Sequence, residues 1–213
     1  MAVAALAGYG VLLMAAFGVR TVLHVRRTDN SGWVRPPTAA AWTGDGLFAV
    51  GVAAVTAGPV LHLLDVPGRL GAIDGPAFNG VGALLLAAGA VVALVAQHQM
   101  GPAWRAGIDV SGQRDDLVVD GLFRFVRNPF YSGMLAASLG VALMAPHVAS
   151  IAGWFAMLAG GVIDVRLIEE PHLRMVHGEA YADYERSTPR FLPRLRSLSG
   201  GGRDRRVRRP GRG

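Results

Sequence analysis

Apolar stretches long enough to cross a bilayer are the feature that most restricts how this sequence can fold. Residues 3–19, 47–64 and 77–96 each approach the roughly 20 residues that span a membrane as a helix. Shorter apolar stretches follow between residues 131 and 168. Backbone groups in lipid have to be satisfied within the chain, which favours helices. The sequence therefore predicts an all-α, polytopic membrane helix bundle with about five membrane segments.

The composition agrees with this fold class and not with a soluble globule. Of 213 residues, 52% are hydrophobic and only 17% are charged. The apolar stretches are rich in Gly and Ala, which allow helix backbones to approach closely in lipid, so we expect a compact bundle. The first stretch has no basic residue before it, since Arg20 is the first, and it is interpreted as a retained span and not a signal peptide.

Cysteine is absent, which excludes disulfides, thiolate metal sites and a cysteine nucleophile. The six histidines show no paired ligand spacing, so no metal is expected. His24, His62 and His147 are interpreted as loop or interface residues.

Arginine supplies all of the Lys-plus-Arg charge, and it is unevenly distributed along the chain. It is abundant after the first, third and last spans, whereas Arg69 stands alone between the second and third. The positive-inside rule then predicts an external N-terminus and a cytoplasmic C-terminus.

The organisation predicted is a three-span region 1–97, a region 98–196 carrying the chemistry, and a disordered basic tail 197–213. For the tail we favour contact with anionic lipid or no specific role over nucleic-acid binding, because no aromatic residues are interleaved with its arginines.

A helical hairpin is predicted near the C-terminus. Pro146 interrupts the apolar run and should end or kink a helix there, which leaves two short helices. Antiparallel legs of similar length return the chain to the face it left. Residues 127–131 and 166–170 should therefore be neighbours, although Asp164 could simply pair with Arg166 or Arg127.

The motifs flanking this hairpin carry a family resemblance. "GLFRFVRNPFYSG" (121–133), the hairpin, and "EEPHLRMVHGEAYADYERSTPRFLP" (169–193) together resemble the isoprenylcysteine carboxyl methyltransferase and phospholipid methyltransferase group of integral membrane enzymes. The resemblance covers about residues 98–193 and implies S-adenosylmethionine as cofactor, a cytoplasmic cap helix, and a bacterial inner membrane as the expected location. It departs from many members at Asn128, where they have His, so no titrating base is carried over at that position.

The resemblance also implies the site residues, while catalytic residues remain unassigned. The implied cofactor contacts are Leu117, Val118, Phe123, Asn128, Pro129, Tyr131 and Glu169. The implied substrate contacts are Trp104, Arg105, Arg127 and Arg166. Their chemistry suits the cofactor, because a carboxylate can hold an ammonium or hydroxyls and aromatic faces can attract a sulfonium.

Several alternatives stay open at the level of sequence. Arg127 with Tyr131 could be an interfacial anchor pair, one of Glu169 and Glu170 could be solvated, and Tyr181 and Tyr184 are interpreted as packing residues of the cap helix. A prenylated cysteine, an amino-lipid and a small thiol are all possible methyl acceptors. The competing functions are an NADPH-dependent membrane reductase of the sterol-reductase type and a non-catalytic membrane scaffold.

Overall fold

The structure, a computed structural model, describes residues 1–28, 35–101 and 117–194. Within these ranges the regular structure is helical, and the only strand-like pairing is an isolated bridge between Arg69 and His147. The helices are α1 (Ala2–Leu13), α2 (Arg20–Thr28), α3 (Ala39–Leu63), α4 (Pro76–Met100), α5 (Pro129–Met144), α6 (Val148–Ile163), α7 (Glu170–His177) and α8 (Glu179–Ser187). Two π-helical turns, Met14–Val19 and Asp164–Glu169, join α1 to α2 and α6 to α7 without a break.

The predicted membrane bundle is confirmed. Among the described residues, Ala2–Arg26, Ala39–Leu63, Pro76–Met100 and Val148–His177 are long and apolar enough to cross a membrane, and Pro129–Met144 is a shorter apolar helix. Large apolar side chains project outward from several of these helices, as expected of a surface that faces lipid. Examples of these exposed residues are Val11, Val50, Leu84, Val91 and Phe155.

Glycines allow the two closest helix pairs to form. On α4, a Cβ at Gly89 would lie 2.4 Å from the Ala137 nitrogen of α5, and on α3 a Cβ at Gly51 would lie 2.6 Å from the Gly153 oxygen of α6. Only a residue without a side chain permits these backbone approaches, which supply the dispersion contacts that hold helices together in lipid. The compact packing expected from the Gly and Ala content is thus confirmed.

The centre of the bundle is mainly apolar and contains a buried hydroxyl pair. Leu12, Met134 and Met157 are almost fully buried, and the Tyr9 hydroxyl lies 2.8 Å from the Ser138 Oγ. A hydroxyl pair that is satisfied within the bundle fixes the position of α1 against α5.

The hairpin forms as predicted, but its second leg is longer than expected. Helix α5 ends at Met144, just before Pro146, and the chain turns back at His147, whose side chain accepts a hydrogen bond from the Ala149 nitrogen. The second leg then runs as one 30-residue helix, Val148–His177. It continues past Pro171 because the preceding π turn accommodates a residue that lacks an N–H donor.

Candidate functional site

Glu170 lies at the centre of an ion-pair cluster where the hairpin closes. Its side chain is 2% exposed and accepts hydrogen bonds from Arg127 Nη2 at 2.7 Å and from Arg190 Nε and Nη2 at 2.7 and 2.8 Å. Arg174 Nη2 is 3.4 Å away on the next helical turn. The predicted proximity of residues 127–131 and 166–170 is therefore confirmed, and Glu170 is not solvated.

The start of α5 is held by the C-terminal end of the described chain. The backbone nitrogens of Arg127 and Asn128 donate to the carbonyls of Pro189 and Arg190 at 2.8 and 3.0 Å. The Asn128 Nδ2 also donates to the Arg190 oxygen at 3.2 Å. A chain segment that follows α8 thus supplies the partners which the helix start needs for its orphan backbone groups.

The π turn Asp164–Glu169 determines which acidic side chains lie on the same face of the helix. The Glu170 nitrogen donates to the Val165 carbonyl, five residues earlier. A turn closed in this way holds about one residue more than an α turn, so residues five apart come onto nearly the same face. Asp164 and Glu169 both lie within electrostatic range of the Tyr131 side chain. Glu170, one residue on, is turned by about 100° toward the arginines.

Tyr131 is fixed by aromatic neighbours and by a glycine. Its ring packs edge-to-face against Phe48 of α3 at 5.5 Å and against Phe130 at 6.0 Å. A Cβ on Gly161 would lie 2.9 Å from the tyrosine ring, so the glycine provides the space for it. The hydroxyl is thereby directed at the acids of the second hairpin leg, and its position leaves little rotamer freedom to lose on ligand binding.

The implied cofactor residues lie between residue 117 and the first turns of α5 and on the π turn of the second hairpin leg. Leu117 and Val118 are partly buried before the 3₁₀ turn Gly121–Arg124, which carries the buried Phe123. Asn128 is the N-cap of α5, and Pro129 is its buried first residue. Tyr131 and Glu169 are partly exposed and interact with each other. Their assignment as cofactor contacts stays a prediction.

The implied substrate residues are less uniform in their placement. The Arg127 guanidinium is engaged by Glu170 and by the Glu185 and Thr188 carbonyls at 3.0 and 2.6 Å. Arg166 is exposed on the π turn. Trp104 and Arg105 lie outside the described residues, as do the arginine-rich tail and its predicted disorder. The assignment of these arginines and Trp104 to the substrate also stays a prediction.

Asp164 does not form the ion pair with Arg166 or Arg127 that was considered from the sequence. Arg127 is directed to Glu170 instead, and no ion pair involves Asp164 within residues 1–28, 35–101 and 117–194. Asp164 is 1% exposed and its Oδ1 has no hydrogen-bond partner. Among the described residues no group of three potential ligands is arranged to hold a metal ion.

Sequence reasoning missed the residues that tie the C-terminal segment to the site. Arg190 binds Glu170, and Ser132 Oγ donates to the Phe191 carbonyl at 2.6 Å. Glu185 accepts from Arg174 at 2.9 and 2.6 Å. The available signal was Arg-Phe-Leu-Pro at residues 190–193, which ends the second of the two quoted motifs.

The cap helix α8 packs on the site as expected. Tyr181 and Tyr184 are 2% and 8% exposed, and the Tyr184 hydroxyl donates to the Phe123 carbonyl at 2.7 Å. Burial raises the pKa of Tyr181 to about 12, so it stays protonated in the physiological range. The Arg174 hydrogen bond holds the pKa of Glu185 below its ordinary value. The interpretation of both tyrosines as packing residues is confirmed.

Comparison with known families agrees with the motif series. The family model described as phospholipid methyltransferase matches residues 78–180, from within α4 to the start of α8. No curated protein and no solved structure matches the chain. The match confirms the resemblance to the membrane methyltransferase group, and the apolar helices agree with a membrane protein.

Proposed function

We propose that this protein is a membrane methyltransferase that uses S-adenosylmethionine and methylates a lipophilic or membrane-delivered acceptor where the hairpin closes. The observation that carries the proposal is the meeting of Tyr131 and Glu169 inside the family-matched region. The two adjacent acids differ in their partners. Glu170 forms ion pairs with arginines, whereas Glu169 forms no ion pair within the described part of the chain. A carboxylate without a cationic partner at this depth is typical of a functional site.

The residues present fit the chemical groups of that cofactor. The Glu169 carboxylate can pair with an ammonium or accept from ribose hydroxyls. Asn128 offers an amide oxygen, since its Nδ2 is used by Arg190. The Phe123 and Tyr131 rings offer faces to adenine or to a sulfonium. These four side chains are the ones to which we assign cofactor binding.

The bound cofactor supplies an electrophilic methyl group on a sulfonium sulfur. Transfer of that methyl is a direct displacement, so the protein needs no nucleophile of its own and contributes orientation and exclusion of water. Tyr131, held by Phe48 and Gly161, provides a fixed wall for this geometry. The cap helix α8 is attached next to Phe123 by the hydrogen bond from the Tyr184 hydroxyl to the Phe123 carbonyl.

We assign the site to the cytoplasmic face, with an external N-terminus. The support is the arginine distribution together with the separation of Arg69, at the connection between α3 and α4, from Arg127, at the start of α5. A cofactor of the cytosol then has direct access, and an acceptor dissolved in the bilayer enters between helices. A carboxyl, a thiol and an amine all remain acceptable as the reacting group.

Ligand-dependent thermal stability tests the cofactor assignment. For detergent-purified protein, S-adenosylhomocysteine should raise the melting temperature and NADPH should not, because only a ligand of the folded state stabilises it. Stabilisation by NADPH alone would favour a membrane reductase. No effect of either ligand, in detergent and in lipid nanodiscs, would favour a scaffold without catalytic function.

Isothermal titration of S-adenosylhomocysteine tests the role of Glu169. Glu169→Gln keeps the size of the side chain and removes its charge, so we expect about tenfold to hundredfold weaker binding, corresponding to a charge-assisted contact of about 1.5–3 kcal/mol. Glu179→Gln on the exposed start of α8 is the matched control and should bind like the wild type. Wild-type affinity in folded Glu169→Gln would remove this contact from the site.

A further inference from the structure

Three carboxylates from two distant parts of the chain lie near the Tyr131 side chain. Asp164 and Glu169 come from the π turn, and Asp45 comes from α3. Asp164 lies within electrostatic range of both other acids, and Tyr131 lies within range of all three. The close packing of α3 on α6 produces this meeting: a Cβ on Gly44 would overlap the Asp164 carboxylate, so glycine at 44 is what admits it.

The negative charge of this cluster has no cationic partner among the residues that the structure describes. The salt bridges of the hairpin end join Arg127, Arg174 and Arg190 to Glu170 or Glu185. Asp164 is nevertheless 1% exposed, and its Oδ1 has no hydrogen-bond partner. Burying an acid in this way is costly unless a proton or a cation compensates it.

The cluster is partly exposed and is bordered by aromatic rings. Asp45, Tyr131 and Glu169 are each partly exposed, whereas Asp164 is buried. The Phe48 ring meets the Tyr131 ring edge-to-face at 5.5 Å. Acidic oxygens beside aromatic rings are the combination that attracts organic cations, whose charge is diffuse and whose surface is apolar.

We propose that Asp45 and Asp164 form a binding site for an organic cation, either a sulfonium or a substituted ammonium. The two forms share one chemistry, a compact positive centre that carries carbon substituents. The sulfonium form deepens the proposed function and rests on it, because that cation would be the methyl donor's own. The ammonium form would be the head of the acceptor. A carboxylate acceptor is disfavoured at this position, because it would add a fourth negative charge.

The test compares ligands that differ in charge at one centre. S-adenosylmethionine and S-adenosylhomocysteine differ by the methyl group and the sulfonium charge, so the ratio of their affinities reports sulfonium recognition. Octylammonium, added to protein saturated with S-adenosylhomocysteine, reports ammonium recognition, with octanoate and octanol as anionic and neutral controls. Isothermal titration and thermal stability in lipid nanodiscs are measured for wild type, Asp45→Asn, Asp164→Asn and, as control, Asp183→Asn on the exposed face of α8.

The two signals are the affinity ratio of the adenosyl ligands and the affinity for octylammonium. We expect one of them to fall about tenfold in Asp45→Asn and in Asp164→Asn and to persist in Asp183→Asn. A reduced affinity ratio assigns the site to the sulfonium, and a lost octylammonium response with an unchanged ratio assigns it to the acceptor. If Asp164→Asn does not fold, Asp45→Asn decides, since its side chain is partly exposed.

Two outcomes separate this inference from the proposed function. Wild-type ratio and wild-type octylammonium response in folded Asp45→Asn would overturn the cation site while leaving cofactor binding intact. If the wild type binds neither adenosyl ligand, the cofactor assignment fails, and the octylammonium response alone then decides whether the acids bind a cation.

Discussion

Replacing Glu170 should destabilise the folded bundle much more than replacing its neighbour Glu169. Glu170 compensates the Arg127 guanidinium, whose side chain is 6% exposed, and also binds Arg190. Glu170→Gln keeps the shape but leaves the buried Arg127 guanidinium with the longer 3.4 Å ion pair to Glu185 as its remaining counter-charge. Breaking a buried ion pair on one side costs about 3–5 kcal/mol. Because 1 kcal/mol shifts the melting temperature of a chain of this size by about 2–4 °C, the expected loss is about 6–20 °C.

Thermal unfolding in one detergent, followed by circular dichroism, measures this loss. Glu169→Gln is the matched control, since it carries the same substitution one residue away on a side chain that forms no ion pair in the described part of the chain. It should melt within about 2 °C of the wild type. The two variants therefore separate stability from binding. Glu170→Gln should lose thermal stability, and Glu169→Gln should lose affinity for S-adenosylhomocysteine.

A double-mutant cycle identifies the interaction responsible for the loss. Arg190→Gln alone removes one partner of Glu170, and the double variant should be less destabilised than the sum of the single variants, with a coupling energy of about 1–3 kcal/mol. A melting temperature of Glu170→Gln equal to that of the wild type would refute the reasoning. Additivity in the cycle would show that the short contacts of Glu170 to Arg190 carry no net free energy, and the loss would then be assigned to Arg127.

Three further predictions concern other parts of the molecule. Gly89→Ala should destabilise the bundle, because its Cβ would lie 2.4 Å from the Ala137 nitrogen, whereas Gly80→Ala on the same helix meets nothing within 4 Å and should be neutral or stabilising by up to about 1 kcal/mol; equal melting temperatures would contradict the α4–α5 contact. Arg174 lowers the pKa of Glu185 below its ordinary value of 4.5, so the stabilisation is complete above pH 4.5 and is lost as the pH falls through the folded-state pKa. Melting temperatures of the wild type and Glu185→Gln should therefore converge in acid, and a constant difference from pH 7 to pH 3 would exclude this contribution. Reporter fusions after Arg35, Arg69 and Arg194 should report cytoplasmic, external and cytoplasmic locations, and an external signal after Arg194 would reverse the proposed orientation.

The membrane fold and the closing of the hairpin could be predicted from the sequence because they depend on local properties. Span length follows from the continuous apolar residues, and the turn follows from Pro146, which cannot donate a backbone hydrogen bond. Two antiparallel legs then bring Arg127 near Glu170, as the 2.7 Å contact shows. The length of the second leg could not be predicted, because nothing in the sequence indicated that a π turn would carry the helix past Pro171.

The tertiary structure determines which acidic side chains lie together near Tyr131. An i→i+5 hydrogen bond at Val165 shifts the helix face by about one residue, so a regular helical wheel drawn from the sequence puts Asp164 and Glu169 on different faces. Asp45 joins them across the α3–α6 contact, where glycine at 44 leaves room for the Asp164 carboxylate. Such a contact depends on where two backbones can approach, which involves residues more than a hundred positions apart. Sequence patterns within one helix contain no information about that register, and so the acidic cluster at Tyr131 emerged only from the packed bundle.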